Sequence, residues 1–316
     1  MPVRRPLAFP RAVLADALDA YLRLLKVLVP ALLAVKILEE LGATELLAAL
    51  LSPALGLLGL PGWAGVVWAA TLLINLFTGM VLFFAFAAEA PPSVAQATVL
   101  GTLMLVGHSL PVEGAVARRA GLPWRMTIAL RVGGALVLGA LLNAAYSATG
   151  TLAEPVELLW SPAPTDDSLA GWALAQGRAL ALILVVITAL MALLAALRRL
   201  GVERLMHAAL APLLRAMGIG ATAANVTVIG VVLGLSYGAG LVFRDVDSGT
   251  MSRRDSALAL CFLGLVHSVV EDTILVAALG AHPSGILWAR LAFSVAVVAA
   301  LARWLPERTF VAPARR

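Results

Sequence analysis

Shifted by 159 residues, the sequence aligns with itself. Leu38, Leu41, Gly42, Leu46, Ala49, Leu51, Pro53, Leu55 and Gly59 fall on Leu197, Leu200, Gly201, Leu205, Ala208, Leu210, Pro212, Leu214 and Gly218. The same shift carries His108-Ser109 onto His267-Ser268, Glu113 onto Asp272, Gly121 onto Gly280 and Arg131 onto Arg290. A shift of 161 matches Gly79-Met80-Val81 to Gly240-Leu241-Val242, which a small loop difference accommodates. Leucine and alanine coincide by chance in apolar chains, so the weight rests on the Gly, Pro, His and Arg matches. A repeat constrains the fold more than any local pattern, because each half must build the same unit.

The unit is a membrane unit. Of 316 residues, 61% are hydrophobic and 13% charged, with a mean hydropathy of +0.97. Soluble domains run nearer half apolar and about a quarter charged. Soluble, disordered and fibrous classes are thereby excluded. Ala64–Leu76 and Ala179–Leu197 are apolar on all sides, which excludes a barrel built from alternating strands. The single cysteine, Cys261, forms no internal disulfide and is too little thiol for an iron–sulfur or thiolate-zinc site. The net charge of +5 sits mostly in arginine-rich loops, which encodes topology rather than nucleic-acid binding. No P-loop, G-x-S-x-G, H-E-x-x-H or C-x-x-C pattern occurs. ATP-driven transport and the familiar hydrolases are therefore not expected, and the chain does not read as an enzyme.

Each half reads as five hydrophobic pieces: 22–38, 43–58, 63–88, 94–116 and 125–148, then 178–197, 202–217, 221–243, 256–279 and 285–305. The division expected is a cytoplasmic amphipathic segment at 1–24, a first repeat at 25–148, an acidic linker at 149–177, a second repeat at 178–305 and a basic tail at 306–316. Arg4, Arg5 and Arg11 place the N-terminus inside by the positive-inside rule, and the segment does not read as a signal peptide. Arg118, Arg119 and Arg125 lie inside, as do Arg253 and Arg254, and Arg308, Arg315 and Arg316 put the C-terminus inside. The linker, with Glu154, Glu157, Asp166 and Asp167, lies outside. Corresponding loops then face opposite sides, which is the inverted-topology plan of many secondary transporters.

Two threadings satisfy these charges: ten spans, or three full spans per half with a re-entrant hairpin. The second piece favours the hairpin. Residues 202–217 carry Glu203, Arg204, His207 and Arg215, a costly span but a good interfacial amphipathic helix. The third pieces are interrupted at Asn75-Leu76-Phe77-Thr78-Gly79 and at Gly234-Leu235-Ser236-Tyr237-Gly238-Ala239-Gly240. Half-helices of about 11 residues reach about 16 Å, roughly half the hydrocarbon thickness. The expected fold is thus an all-α polytopic membrane protein of two inverted-topology repeats. Each holds an interfacial amphipathic helix, a re-entrant hairpin and a broken helix.

Candidate site residues follow from the duplicated polar motifs. His108-Ser109-Leu110-Pro111-Val112-Glu113 and His267-Ser268-Val269-Val270-Glu271-Asp272 lie deep in apolar runs. Ionisable groups there are expensive and mark pathways or sites. His108, Ser109, Glu113, His267, Ser268, Glu271 and Asp272 are therefore candidate solute-binding residues, joined at the hairpin tips by Asn75, Thr78, Ser236 and Tyr237. Capping of helix ends is the plainer role for the same Ser and carboxylate groups. Imidazole also titrates near neutrality and suits proton coupling. A metal would need His108, Glu113, His267 and Asp272 to converge across the repeats. Arg131 and Arg290 can pair with Glu113 and Asp272 or hold an anion, but helix-start arginines commonly snorkel to the interface, and that is the expectation here.

The run Leu51-Ser52-Pro53-Ala54-Leu55 to Gly59, a Gly-interrupted apolar segment and then Gly107-His108-Ser109 resembles the nucleoside-recognition or Gate-domain membrane proteins. That group includes spore maturation proteins A and B and the membrane part of bacterial ferrous-iron transporter B. Concentrative nucleoside transporters share the arrangement of interfacial helix, hairpin and broken helix. The resemblance covers about 25–148 and 180–305, one unit per half. There is no GTPase segment, and Cys261 is not at a hairpin tip. The expected function is an inner-membrane secondary transporter of a small polar solute, nucleoside-like or anionic, by alternating access. H+ or Na+ would be the coupling ion, with no other cofactor. The alternatives are a divalent-metal (Fe2+-type) permease and a non-transporting scaffold. Expected partners are the lipid bilayer, the solute or ion and a further copy of the chain, and not nucleic acid.

Overall fold

The computed structural model describes residues 8–41, 53–158, 168–233, 242, 245 and 248–304. Among these, all regular elements are helical. Helix α1 spans Ala8–Glu40. Helices α2 (Ala64–Leu73) and α3 (Leu76–Glu89) follow, then α4 (Val94–Gly107), α5 (Leu110–Arg119) and α6 (Trp124–Thr149). The second half runs α7 (Leu169–Arg199), α8 (Val202–Ala216), α9 (Ala221–Leu233), α10 (Arg253–Leu265), α11 (Glu271–Ala277) and α12 (Ser284–Trp304). Among the described residues, four stretches are long and apolar enough to cross a membrane: Val94–Arg119, Trp124–Thr149, Leu169–Leu193 and Ser284–Trp304. Large apolar side chains such as Val137, Leu141 and Val185 are exposed on them, as faces toward lipid must be. The chain is an all-α polytopic membrane protein.

The repeat is visible in the backbone. Among the described residues with left-handed φ, three pairs lie 159 apart: Ser109 with Ser268, Gly59 with Gly218 and Gly121 with Gly280. Each half also carries one turn of π-helix, at Ala129–Gly133 and at Ser284–Ala289. A π turn re-registers the face that follows it and is common at functional positions.

The two halves are inverted. Helix α4 starts beside the linker, where Val94 N–H donates to Glu154 O at 2.9 Å and Val156 N–H to Pro92 O at 3.0 Å. Gly280, past the end of α11, lies against Val156. Helix α10 starts at the other end, where the Arg254 guanidinium donates to Gly218 O at 3.2 Å and to Ala302 O at 2.7 Å. The broken helices α4–α5 and α10–α11 therefore enter from opposite ends. Gly101 of α4 leaves the room in which Val276 of α11 packs.

The first interrupted segment is a hairpin. Trp63, just before α2, stacks on Phe86 near the end of α3, with ring centroids 5.9 Å apart. It meets Phe83 edge-on at 5.8 Å. The two helix ends thus lie together, and the tip lies where Asn75 interrupts the chain. Asn75 caps α3, its Oδ1 accepting from Thr78 N–H at 2.9 Å, a strong helix start. At 10 and 14 residues, these helices are about 15 and 21 Å long, too short to span singly. The counterpart tip at Ser236 and Tyr237 lies outside the described residues.

Helix α8 is amphipathic as read, with Arg204, Leu205 and Arg215 exposed and Ala211 and Leu214 buried. Two boundaries differ from the sequence reading. Helix α1 runs unbroken through residue 24: Pro10 sits in its first turn, where a missing N–H is harmless, and no Gly or Pro follows before Pro30. Helix α7 begins at Leu169 rather than 178, where the Ser168 hydroxyl accepts from Gly171 N–H at 3.0 Å. The two helices pack together, and the Tyr21 hydroxyl donates to Leu180 O at 3.1 Å.

Candidate functional site

Both broken helices break at His-Ser. Ser109 sits at φ 49° and Ser268 at φ 44°, a left-handed conformation that costs a non-glycine residue about 1–2 kcal/mol. Strain kept twice at matching positions points to a use for the break. Pro111 then starts α5 in its first turn, where a missing N–H is harmless. Helices α2 and α9 seal the breaks: Ser109 N–H donates to Thr71 O at 3.0 Å, and Val269 N–H to Val231 O at 2.9 Å. Inside each new turn, Glu113 N–H returns to Ser109 O at 3.0 Å and Asp272 N–H to Ser268 O at 2.9 Å.

The two breaks meet. His108 and His267 are 6% and 2% exposed, and their rings face each other with centroids 4.9 Å apart. Their Nε2 atoms are 3.1 Å apart. Glu113 Oε1 lies 3.2 Å from His108 Nε2 and 3.3 Å from His267 Nε2. Asp272 Oδ2 is 3.8 Å from His108 Nε2, and it is buried with no hydrogen-bond partner.

The tautomers follow from the backbone. His108 Nδ1 faces Met104 O at 3.2 Å and His267 Nδ1 faces Leu263 O at 2.7 Å. A carbonyl only accepts, so each Nδ1 carries hydrogen and each neutral ring presents a bare Nε2 lone pair. Three acceptors then point at one another: two Nε2 atoms and Glu113 Oε1. Such an arrangement repels itself unless a positive particle sits among them. A proton or a metal ion among them would relieve that repulsion.

Two arginines brace the cluster. Arg131 is 1% exposed; it donates to Val106 O at 3.0 Å and His108 O at 2.8 Å, and pairs with Glu113 Oε2. Arg290, also 1% exposed, donates to Leu265 O at 3.0 Å, His267 O at 3.2 Å and Leu105 O at 3.4 Å. Each thus satisfies carbonyls at the broken end of α4 or α10, which have no intrahelical partner. The snorkelling expectation is corrected: Arg131 and Arg290 are among the largest fully buried side chains. The π turns containing Arg131 and preceding Arg290 lie where these side chains turn into the protein. The signal was present in the sequence, because each Arg lies 23 residues beyond its His in both halves.

The symmetry is incomplete. Glu113 pairs with Arg131, whereas Asp272 Oδ2 and Arg290 Nη1 are both buried without partners. Aspartate is one methylene shorter than glutamate, so the second copy does not close the same bridge at the present backbone separation. Beside the first copy lies a cavity of about 10 Å³ lined by Glu113, Thr127, Arg131 and Gly264, about the room one water needs.

Of the candidate residues, the structure gathers His108, His267 and Glu113, with Asp272 3.8 Å from His108 at their edge. Ser109 and Ser268 form the turns that aim them. Glu271 stands half-buried beside Asp272 in the first turn of α11, outside the converging set. Asn75 and Thr78 engage each other, with the Thr78 hydroxyl 3.1 Å from Asn75 Oδ1, as a hairpin cap.

Over 289 residues the chain is 28% identical to a protein of Bacillus subtilis (strain 168), the uncharacterized membrane protein YvoD, covering 89% of this chain and 91% of that one. No protein-family profile matches the chain, and no solved structure does. The chain is therefore similar, over nearly all of its length, to a bacterial membrane protein.

Proposed function

We propose that the chain is a cation-coupled secondary transporter of the bacterial inner membrane, moving a small polar solute, nucleoside-like or anionic, by alternating access. The observation that carries this reading is the convergence of three acceptors where two inverted broken helices meet. Polar groups so deep in an apolar protein are costly to keep, and transporter sites form at repeat interfaces from interrupted helices. The converging set holds no nucleophile beside a base, so binding and release fit it better than covalent catalysis.

The asymmetry supplies the alternation. In this state the first repeat closes its ion pair, Arg131 with Glu113, and the second leaves Asp272 and Arg290 apart. Exchanging the conformations of the two repeats gives the opposite state, with Asp272 drawn to Arg290 and Glu113 released. The cation at the two histidines is then shared first with one carboxylate and then with the other.

The test is flux. Purified protein in proteoliposomes, under an imposed pH gradient, is screened with nucleosides and small carboxylates while internal pH is read by a dye. Solute-dependent proton movement, lost in His108→Ala and His267→Ala, is expected. Identical signals from wild type and the double variant would defeat the reading and favour a scaffold.

The orientation proposed puts both termini in the cytoplasm and the linker in the periplasm. A cysteine replacing Ser168 should react with an impermeant thiol reagent in intact cells, and one replacing Arg254 should not. The reverse pattern would turn the protein over in the membrane.

A further inference from the structure

We infer that the triad of His108, His267 and Glu113, with Asp272 beside it, is a binding site for one divalent first-row transition-metal ion. The inference deepens the proposed function by naming the cation, and it rests on that function only for the ion's movement. The binding site itself is independent of it.

The geometry distinguishes a metal from a proton. A proton bridges two atoms, whereas three acceptors form a nearly equilateral triangle here, with sides of 3.1, 3.2 and 3.3 Å. Metal–ligand distances of about 2.0–2.1 Å at tetrahedral angles set ligands about 3.3–3.4 Å apart. The triangle therefore matches one face of a tetrahedron without rearrangement, and the ion would sit about 0.9 Å out of its plane. Asp272 Oδ2, buried and without a partner, stands 3.8 Å from one corner but outside the set that converges, so the fourth position is open to water or to Asp272 after its side chain rotates.

The surroundings match as well. Metal-bound imidazoles donate their other N–H to a carbonyl or carboxylate, which fixes the tautomer; both histidines do this, to Met104 O and Leu263 O. Ligating carboxylates are themselves hydrogen-bonded, and Glu113 Oε2 is held by Arg131. Two imidazoles with carboxylates select Zn2+, Fe2+, Co2+ or Ni2+ over Mg2+ and Ca2+, which prefer all-oxygen sites. Affinity is moderated by charge. Arg131 and Arg290 already balance Glu113 and Asp272, so the charge of the ion is not cancelled by the protein. That suits release during transit, which needs binding strong enough to enter and weak enough to leave.

The test uses the full chain, free of any affinity tag, stripped with a chelator in detergent and titrated with Co2+ and Zn2+ by calorimetry and absorption. We expect one Co2+ per chain, with the absorption of a low-symmetry four-coordinate site, displaced by Zn2+ and not by Mg2+. His108→Ala, His267→Ala and Glu113→Gln should each weaken binding by about 100-fold or more, since loss of a ligand should exceed the 10–100-fold typical of its supporting groups. His282→Ala, on an exposed histidine outside the cluster, should leave it unchanged. Should an alanine variant fail to fold, the near-isosteric Glu113→Gln carries the same comparison. Absence of saturable binding by the wild type, or binding undiminished in Glu113→Gln and the histidine variants, overturns the inference. Solute-driven proton flux without metal binding overturns the metal and leaves the transporter. Stoichiometric binding without flux of any probe leaves the metal site and removes the transporter.

Discussion

Replacing Arg131 with methionine should destabilise the protein by about 3–5 kcal/mol, the cost of stripping a buried charge of its partner. The guanidinium serves three groups at once: Val106 O, His108 O and Glu113. Methionine fills much of the volume but donates nothing. Two carbonyls at the broken end of α4 lose their donor, and Glu113 keeps its charge with only the histidines beside it. The matched change Arg290→Met should cost less, because Arg290 bonds carbonyls but closes no ion pair with Asp272. Adding Glu113→Gln to Arg131→Met should recover a substantial part of the loss, since the uncompensated carboxylate is then gone. Unfolding in mixed micelles by a denaturing detergent gives the comparison. Equal losses for the two arginines, or no recovery in the double variant, would show that carbonyl capping alone accounts for the role of Arg131.

That contrast separates what the chain states locally from what only folding reveals. The repeat, the His-Ser breaks, the interruption at Asn75 and the amphipathic face of α8 are short-range patterns, and they are legible in order along the sequence. The burial of Arg131 and Arg290 is different in kind. From position alone, each opens the last helix of its half and should reach for the interface. Its partners are carbonyls 23 and 25 residues earlier, exposed only because another helix is broken. Capping at that distance is a tertiary fact, and the equal His–Arg spacing in both halves is its single trace in the sequence. The strained turns at Ser109 and Ser268 were hidden for a related reason. Serine does not announce left-handed backbone as glycine does, and only the hairpin carbonyl from Thr71 and the turn that returns to Glu113 hold the first one there. The unbroken run of α1 shows that a change of polarity near residue 24 need not end a helix where no residue breaks it.

Loss of either central imidazole should abolish transport while leaving the protein folded. His108→Ala and His267→Ala each remove one of three acceptors that share a cation, and each leaves the span as apolar as before. The surviving pair cannot enclose the ion. With His108 gone, His267 Nε2 and Glu113 Oε1 remain 3.3 Å apart, enough to trade a proton but not to hold a coordinated ion or pass it between carboxylates. The cost to stability should be small, and its sign is instructive. Removing an acceptor from a cluster of mutually repelling acceptors relieves strain, which offsets part of the packing lost with the ring. Melting temperatures within a few degrees of wild type are therefore expected alongside flux at the background of empty vesicles. The double variant should be no worse than either single one, because the site acts as a unit and is already broken by the first loss. Transport that survives in both single variants at wild-type rate would return the histidines to a purely structural role. Multiplicative losses on combining the two would show instead that each acts alone, on its own half of the molecule, and that their 3.1 Å contact is not the working element.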